Sequence, residues 1–149
     1  MPLCGDVQQD VVTDTVITLG AWIRAHREFV LGTNEAGMRL LGSTRAADAA
    51  IWRRSDLGNY RGGLRRVPPV LTIEVAGADE AEDLLREKAL WYLNAGIEAV
   101  WVVLPEPRAV LVITASGEAR FHLGDQLPPI PSLPGLTPQV GDFFTQLSA

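Results

Sequence analysis

Lysine is almost absent from this chain of 149 residues. Lys88 is its only lysine, and arginine supplies every other permanent positive side chain. Cysteine is as scarce. Cys4 stands alone, so no disulfide can form within one chain, which suits a reducing compartment. No apolar stretch approaches the ~18 residues a membrane span needs, and no basic segment leads into an apolar run at the amino end. Neither a membrane span nor a secretory leader is expected, and the reading is a cytoplasmic protein. His26 and His122 are the only histidines, with no partner at metal-ligand spacing; His26, closing a helix, is explained by the helix dipole. Gly62-Gly63 is too short for a phosphate-cradling loop, and no dinucleotide-binding pattern follows a strand.

What remains is an ordinary globular composition, long enough to bury roughly 70% of the extended chain's surface in one domain. The net charge of −5 argues against a nonspecific nucleic-acid coat. Its distribution is uneven. Arg53, Arg54, Arg61, Arg65 and Arg66 face only Asp56 in a glycine-rich stretch with one tyrosine, while acids crowd the run 79–87. A basic loop on an acidic body can grip phosphate locally while overall affinity stays low; a plain solvated loop is the alternative.

Apolar spacing predicts a helix over 6–26, with Val7, Val11, Val12, Val16, Leu19 and Ile23 on its packed face. A hairpin follows, with strands 28–31 and 38–41 around a turn near Asn34–Gly37. Residues 45–52 read as a strand ending at the basic loop. The runs 70–76, 99–104, 109–114 and 118–123 read as further strands, the first two buried on both faces. Between those two lies a helix over 79–94, with Asp79 as its N-cap and Asn94-Ala95-Gly96 closing it. Strand–helix–strand implies a right-handed crossover and two parallel strands. The expected architecture is α/β: a central mixed sheet flanked by helices. It forms a single domain over 1–149, with a core at about 6–123 and a C-terminal extension at 124–149. That extension runs through proline-rich 128–138 into a short amphipathic end at 140–147. The tryptophans Trp22, Trp52, Trp91 and Trp101 fit core packing better than a nucleic-acid surface.

Lys88 occupies an odd position on its helix. At about 100° per residue it falls among Ala81, Leu84, Leu85, Ala89 and Tyr92, on the core-facing side. A lysine there must snorkel out, lose its proton or meet a carboxylate. Two carboxylates stand on apolar strands, Asp48 and Glu74, and the crossover brings the helix face back over Glu74. If Asp48 lies on the neighbouring strand, the three groups converge. Two carboxylates and an ammonium suit phosphodiester hydrolysis, because Mg²⁺ prefers one or two carboxylates plus water and phosphate oxygens. A structural Lys88–Glu74 pair is the competing reading.

These residues resemble the Uma-two family of bacterial endonucleases, a branch of the restriction-endonuclease-like PD-(D/E)xK nucleases. The likeness is carried by Asp48 in RAADAAIW, Glu74 in LTIEV, Asp83 and Lys88 in EDLLREKALWY, then Tyr92, Gly96 and Pro105. It is clearest over 67–113 and weaker elsewhere, including the terminal Leu-Pro-Gly-Leu and Asp-Phe-Phe. The wider superfamily often places its lysine two residues after the glutamate; here that position is Ala76, and Lys88 would be the migrated equivalent. The resemblance implies a Mg²⁺- or Mn²⁺-dependent endonuclease acting on DNA, with Asp48 and Glu74 as metal ligands and Lys88 as the cationic catalytic group. Asp83 would sit nearby in support. Arg53, Arg54, Arg61, Arg65 and Arg66 are the candidate DNA contacts. The chain departs from the family pattern at Ala47, Ala76-Gly77, Ala99, Val100 and Leu104. It also begins late, without most of the segment where relatives often carry another acid. Those departures fit a weakened or inactive relative serving as a binding or assembly module. Leu90 and Leu93 leave a homodimer open.

Overall fold

The structure, a computed structural model, describes residues 4–59 and 61–147. Its frame is one six-stranded sheet whose spatial order follows the chain. The strands are β1 (Phe29–Leu40), β2 (Ser43–Arg53), β3 (Leu71–Val75), β4 (Ala99–Leu104), β5 (Ala109–Thr114) and β6 (Gly117–His122). Three helices accompany them: α1 (Asp6–Ala25), the one-turn α2 (Arg54–Leu57) and α3 (Glu82–Asn94). Neighbouring strands run antiparallel except β3 and β4, which are parallel. A parallel pair requires a crossover, and α3 provides it. No helix among the described residues is long and apolar enough to cross a membrane.

Every residue of β3 and β4 is buried, as their continuous apolar runs require when both faces are covered. One face carries Ile51, Ile73 and Trp101 beneath Leu19 of α1 and Phe143 of the C-terminal segment. The other carries Trp52, Val100, Val102 and Leu111 beneath Leu85, Ala89 and Tyr92 of α3. The segment after Leu123 is no appendage. Leu127, Ile130, Leu133, Leu136, Val140, Phe143 and Phe144 all belong to the first of these two cores.

Three expectations need correction. The packed face of α1 is rotated from the one its valines suggest: Val7 is 45% exposed, while Asp14 and Thr15 are buried. Polar groups are tolerated there because they are satisfied. Thr145 Oγ1 and the Gln146 amide donate to Asp14 at 2.8 and 2.9 Å, and Thr15 Oγ1 donates to the Val11 carbonyl at 2.7 Å. Secondly, α3 begins at Glu82 with Ala81 as N-cap and no side-chain capping bond, so Asp79 does not cap it. Thirdly, the turn placed near Asn34–Gly37 lies within β1, and the chain reverses later, through Leu41-Gly42 at φ 51° and 72°.

What occupies that predicted turn is a bulge. Thr33 pairs with Ala49 and Ala36 with Ala47, so Asn34 and Glu35, both in the left-handed region, face a single β2 residue. That residue is Asp48. The alternation of β2 slips at the same point, since Ala47 and Ala50, three apart, both join the core on the α3 side. Bulges kink a strand and re-aim side chains beside it.

Candidate active site

Asp48 and Glu74 stand side by side on adjacent strands. The β2–β3 ladder ends at the Ala49–Ile73 pair, and Asp48 and Glu74 are the next residues on each strand. Where the backbone pairing stops, the Asp48 side chain takes over: its Oδ2 accepts the Val75 amide at 2.7 Å. Glu74 is 6% exposed, and its Oε1 accepts the Tyr92 hydroxyl from α3 at 2.7 Å. Each carboxylate thus has one oxygen fixed by the protein. Among the described residues, Glu74 Oε2 and Asp48 Oδ1 accept no hydrogen bond. Neither is one of the sealed-in atoms lacking a partner, which are Thr72 Oγ1 and Trp101 Nε1. The two remaining oxygens therefore reach solvent.

The electrostatics follow from this crowding. Burial pushes the Glu74 carboxyl up to about 7; repulsion from Asp48 adds to the rise, while the Tyr92 bond and the Lys88 charge oppose it. The Asp48 carboxyl also lies above its ordinary value. Desolvation raises it most, the Val75 amide pulls it back, Glu80 adds repulsion, Lys88 opposes, and Glu35 on the bulge repels again. Tyr92 is held far above the usual phenol range by its own burial and by the Glu74 charge.

Lys88 is not buried. Its side chain is 44% exposed, at the edge of the packed stripe and not within it, because that stripe is only Leu85, Ala89 and Tyr92 and Leu84 is itself 49% exposed. Its direct partner is not Glu74 but Glu80, whose Oε2 lies 3.2 Å from Nζ. Glu80 is the residue that sequence reasoning missed. Its other oxygen, Oε1, accepts the Gly77 amide at 2.9 Å, fixing the turn that leads from β3 to α3. Gly77 leaves room for both side chains, since a Cβ there would stand 3.3 Å from Gln8 Oε1 and 3.4 Å from Glu80 Oε1. Gln8 comes from α1 and donates to the Val75 carbonyl at 2.9 Å, closing the end of β3 from the opposite side. Glu80 was hidden inside the acidic run 79–87, though it is the last acid before the helix begins.

Glu74, Lys88, Tyr92, Trp91 and Arg45 line an open groove of about 350 Å³, of whose lining Asp48 is not part. A larger hollow of about 660 Å³ sits elsewhere, between the β5–β6 turn and Pro128–Pro131. The two carboxylates on its lining are already spent, Glu98 on Ser132 and Glu118 on Arg86, so it offers no free ionic chemistry. Asp83 points away from the site, 95% exposed, and pairs with Arg86 at 3.1 Å.

The five loop arginines do not join the carboxylates; the cations acting on Asp48, Glu74 and Tyr92 are Lys88 and Arg45. Arg53 bonds Ser132 at 2.8 Å and sits 3.9 Å from Asp56, and Arg54 donates to the Arg27 carbonyl at 2.9 Å. Arg65 lies over the Trp52 ring, 4.5 Å from its centroid. Arg61 and Arg66 are exposed. Tyr60, in the same loop, lies outside the described residues.

Among the described residues no cluster of three or more His, Cys, Asp or Glu side chains is set to hold a metal. The donor set is a carboxylate pair, which is what Mg²⁺ or Mn²⁺ takes when water and phosphate oxygens complete the shell. A pair of desolvated, mutually repelling carboxylates with one solvent-reaching oxygen each fits such an ion.

The sequence matches the Uma2 family model, described as "Putative restriction endonuclease", over residues 1–143. The chain belongs to this family. The chain is also similar in structure to the one described as "Crystal structure of a putative nuclease belonging to DUF820 from Anabaena variabilis ATCC 29413". The two chains share 18% identity and a TM-score of 0.86, covering 98% of this chain and 84% of that one, and so share a fold. A chain of the "cryoEM structure DrdV-DNA complex" aligns with 92% of this one but 13% of itself, at 16% identity and a TM-score of 0.44, too slight a likeness to bear on function. No curated protein matches.

Proposed function

We propose that this Uma2 protein is a divalent-metal-dependent endonuclease that hydrolyses DNA phosphodiester bonds. In this reading Asp48 and Glu74 are the metal ligands and Lys88 is the cationic catalytic group. One observation carries it: a buried Glu74 and a half-buried Asp48 stand side by side against their mutual repulsion, with a lysine on the groove that Glu74 lines. Such an arrangement costs folding free energy, and a divalent cation relieves that cost. A bound Mg²⁺ or Mn²⁺ would supply Lewis-acid charge for the phosphoryl oxygens and make water acidic enough to attack near neutral pH. The protein's own part is positional. The Val75 amide and the Tyr92 hydroxyl fix the inner carboxylate oxygens and leave the outer ones free. Lys88 sits where it can exchange Glu80 for an attacking water or a phosphate oxygen and stabilise charge as it develops. The exposed Arg61 and Arg66 would touch phosphates further along the duplex, with Arg53, Arg54 and Arg65 shaping the loop that presents them.

The test is plasmid nicking by the purified protein with Mg²⁺ or Mn²⁺. Asp48→Ala, Glu74→Ala and Lys88→Ala are each expected to lower the rate about 10²-fold or more. Nicking that survives all three substitutions sinks the assignment.

A non-catalytic module on the same fold is the second reading, and the Lys88–Glu80 ion pair favours it, because it uses the lysine inside the protein. Heat stability separates the two. A metal that binds only the folded chain adds about 2.7 kcal/mol at a hundredfold excess over its Kd, on the order of 5–10 °C for a domain of this size. No shift with millimolar Mg²⁺ or Mn²⁺ would favour the module.

A further inference from the structure

We propose that Arg45 is the phosphate-positioning residue of this groove, gripping the DNA phosphate next to the one at the carboxylates. The proposal rests on the endonuclease reading and names a contact which the basic loop does not supply. Arg45 lies three residues before Asp48 on β2 and shares the groove lining with Glu74, Lys88 and Tyr92. Its guanidinium lies over the Trp91 ring, 4.7 Å from the centroid. Among the described residues it makes no hydrogen bond and no ion pair, and its side chain is exposed.

The cations of α3 and β6 already have acidic partners. Arg86 contacts Glu82, Asp83 and Glu118; Arg120 contacts Glu82; Lys88 contacts Glu80. Arg45 alone around this groove keeps all its N–H donors, on a planar fork whose face is pinned by an indole. A fork held flat in this way loses little freedom on binding and matches a phosphate's oxygens two at a time. The groove needs such a group. Glu74 and Glu87 line it, Asp48 and Glu80 lie close enough for their charges to act on Glu74, and Lys88 is the only other positive side chain on the lining. A polyanion entering there meets net repulsion unless a cation reaches outward to meet it. The field of Arg45 does reach in, since it lowers the Tyr92 pKa against the acids.

The experiment is fluorescence anisotropy of a short labelled DNA duplex, with Ca²⁺ in place of Mg²⁺, across a salt series. Parent, Arg45→Met, Arg45→Lys and the control Arg39→Met are compared. Methionine keeps an apolar cover on Trp91 while removing the charge. Arg45→Met is expected to weaken binding about tenfold or more and to flatten the slope of log affinity against log salt by about one. Arg45→Lys should hold the slope at intermediate affinity, and Arg39→Met should change neither. An unchanged slope in Arg45→Met overturns the proposal, whether affinity stays or falls, because packing on Trp91 would then be the whole role. A parent protein that binds no DNA overturns it as well. If the parent binds DNA through Arg45 yet never nicks it, the hydrolytic reading fails and the phosphate contact stands. If it nicks and Arg45→Met matches its KM and kcat, only the Arg45 proposal fails.

Discussion

Glu74→Gln should melt on the order of 5–10 °C above the parent protein at pH 8 while losing nicking activity. The Glu74 carboxyl titrates near 7 in the folded chain and near 4.5 when free of the fold, so the folded chain holds its proton more tightly. Its contribution to stability is complete below about 4.5 and is lost as pH rises through 7. Above that, ionised Glu74 burdens the fold by about 3 kcal/mol, at 1.4 kcal/mol per unit. Glutamine removes the charge and keeps the geometry. Its side-chain carbonyl still accepts the Tyr92 hydroxyl, which donates at 2.7 Å in the parent. Melting curves at pH 5 and pH 8 check the sign: the gain should be large at pH 8 and small at pH 5. Equal melting temperatures at both would mean that Glu74 is not strained by its surroundings. A gain in stability bought with a loss of activity is the usual mark of a functional carboxylate.

A chain ending at Leu123 should show no cooperative unfolding transition. The missing segment supplies Leu127, Ile130, Leu133, Leu136, Val140, Phe143 and Phe144, all 4% exposed or less. At roughly 1.5–3 kcal/mol for each buried side chain, their loss totals on the order of 10 kcal/mol, comparable to the whole stability of a typical domain. Polar damage adds to it. Asp14 would lose the Thr145 and Gln146 donors, and the Trp22 indole N–H would lose the Pro134 carbonyl it reaches at 2.9 Å. Near-ultraviolet circular dichroism during heating gives the answer. A sharp transition in the shortened chain would show that 124–149 is a separable extension of a core ending near residue 123.

The sheet was legible because β3 and β4 are unbroken apolar runs joined by one helix, and that pattern has few alternatives. It leaves open whether Asp48 neighbours Glu74, which the pairing of β2 with β3 decides. Lys88 was found for an inexact reason. A helical wheel assigns faces by angle alone, and it cannot show that the buried stripe of α3 narrows to three residues, leaving Leu84 and Lys88 at its edge. Glu80 escaped notice because its position depends on the Gly77–Glu80 turn, which no periodicity reports. Asn34–Gly37 has turn chemistry and reads as a turn in sequence. A bulge needs the same left-handed residues, and only the partner strand distinguishes the two. The polar face of α1 was unreadable for a similar reason, since Asp14 is satisfied from residues more than a hundred positions away.

The Lys88–Glu80 contact also determines what has to move when a ligand arrives. Asp48 is held by the Val75 amide and Glu74 by the Tyr92 hydroxyl, so of the charged groups at the site Lys88 is the one with a partner to exchange. An exposed side chain changes rotamer in picoseconds to nanoseconds, whereas lids and hinges take microseconds or longer. For a ligand in this groove, the step from resting to engaged lysine is a single side-chain swing. In the proposed endonuclease such a swing would be too fast to time the cycle, leaving chemistry or release of the cut strand to set its pace.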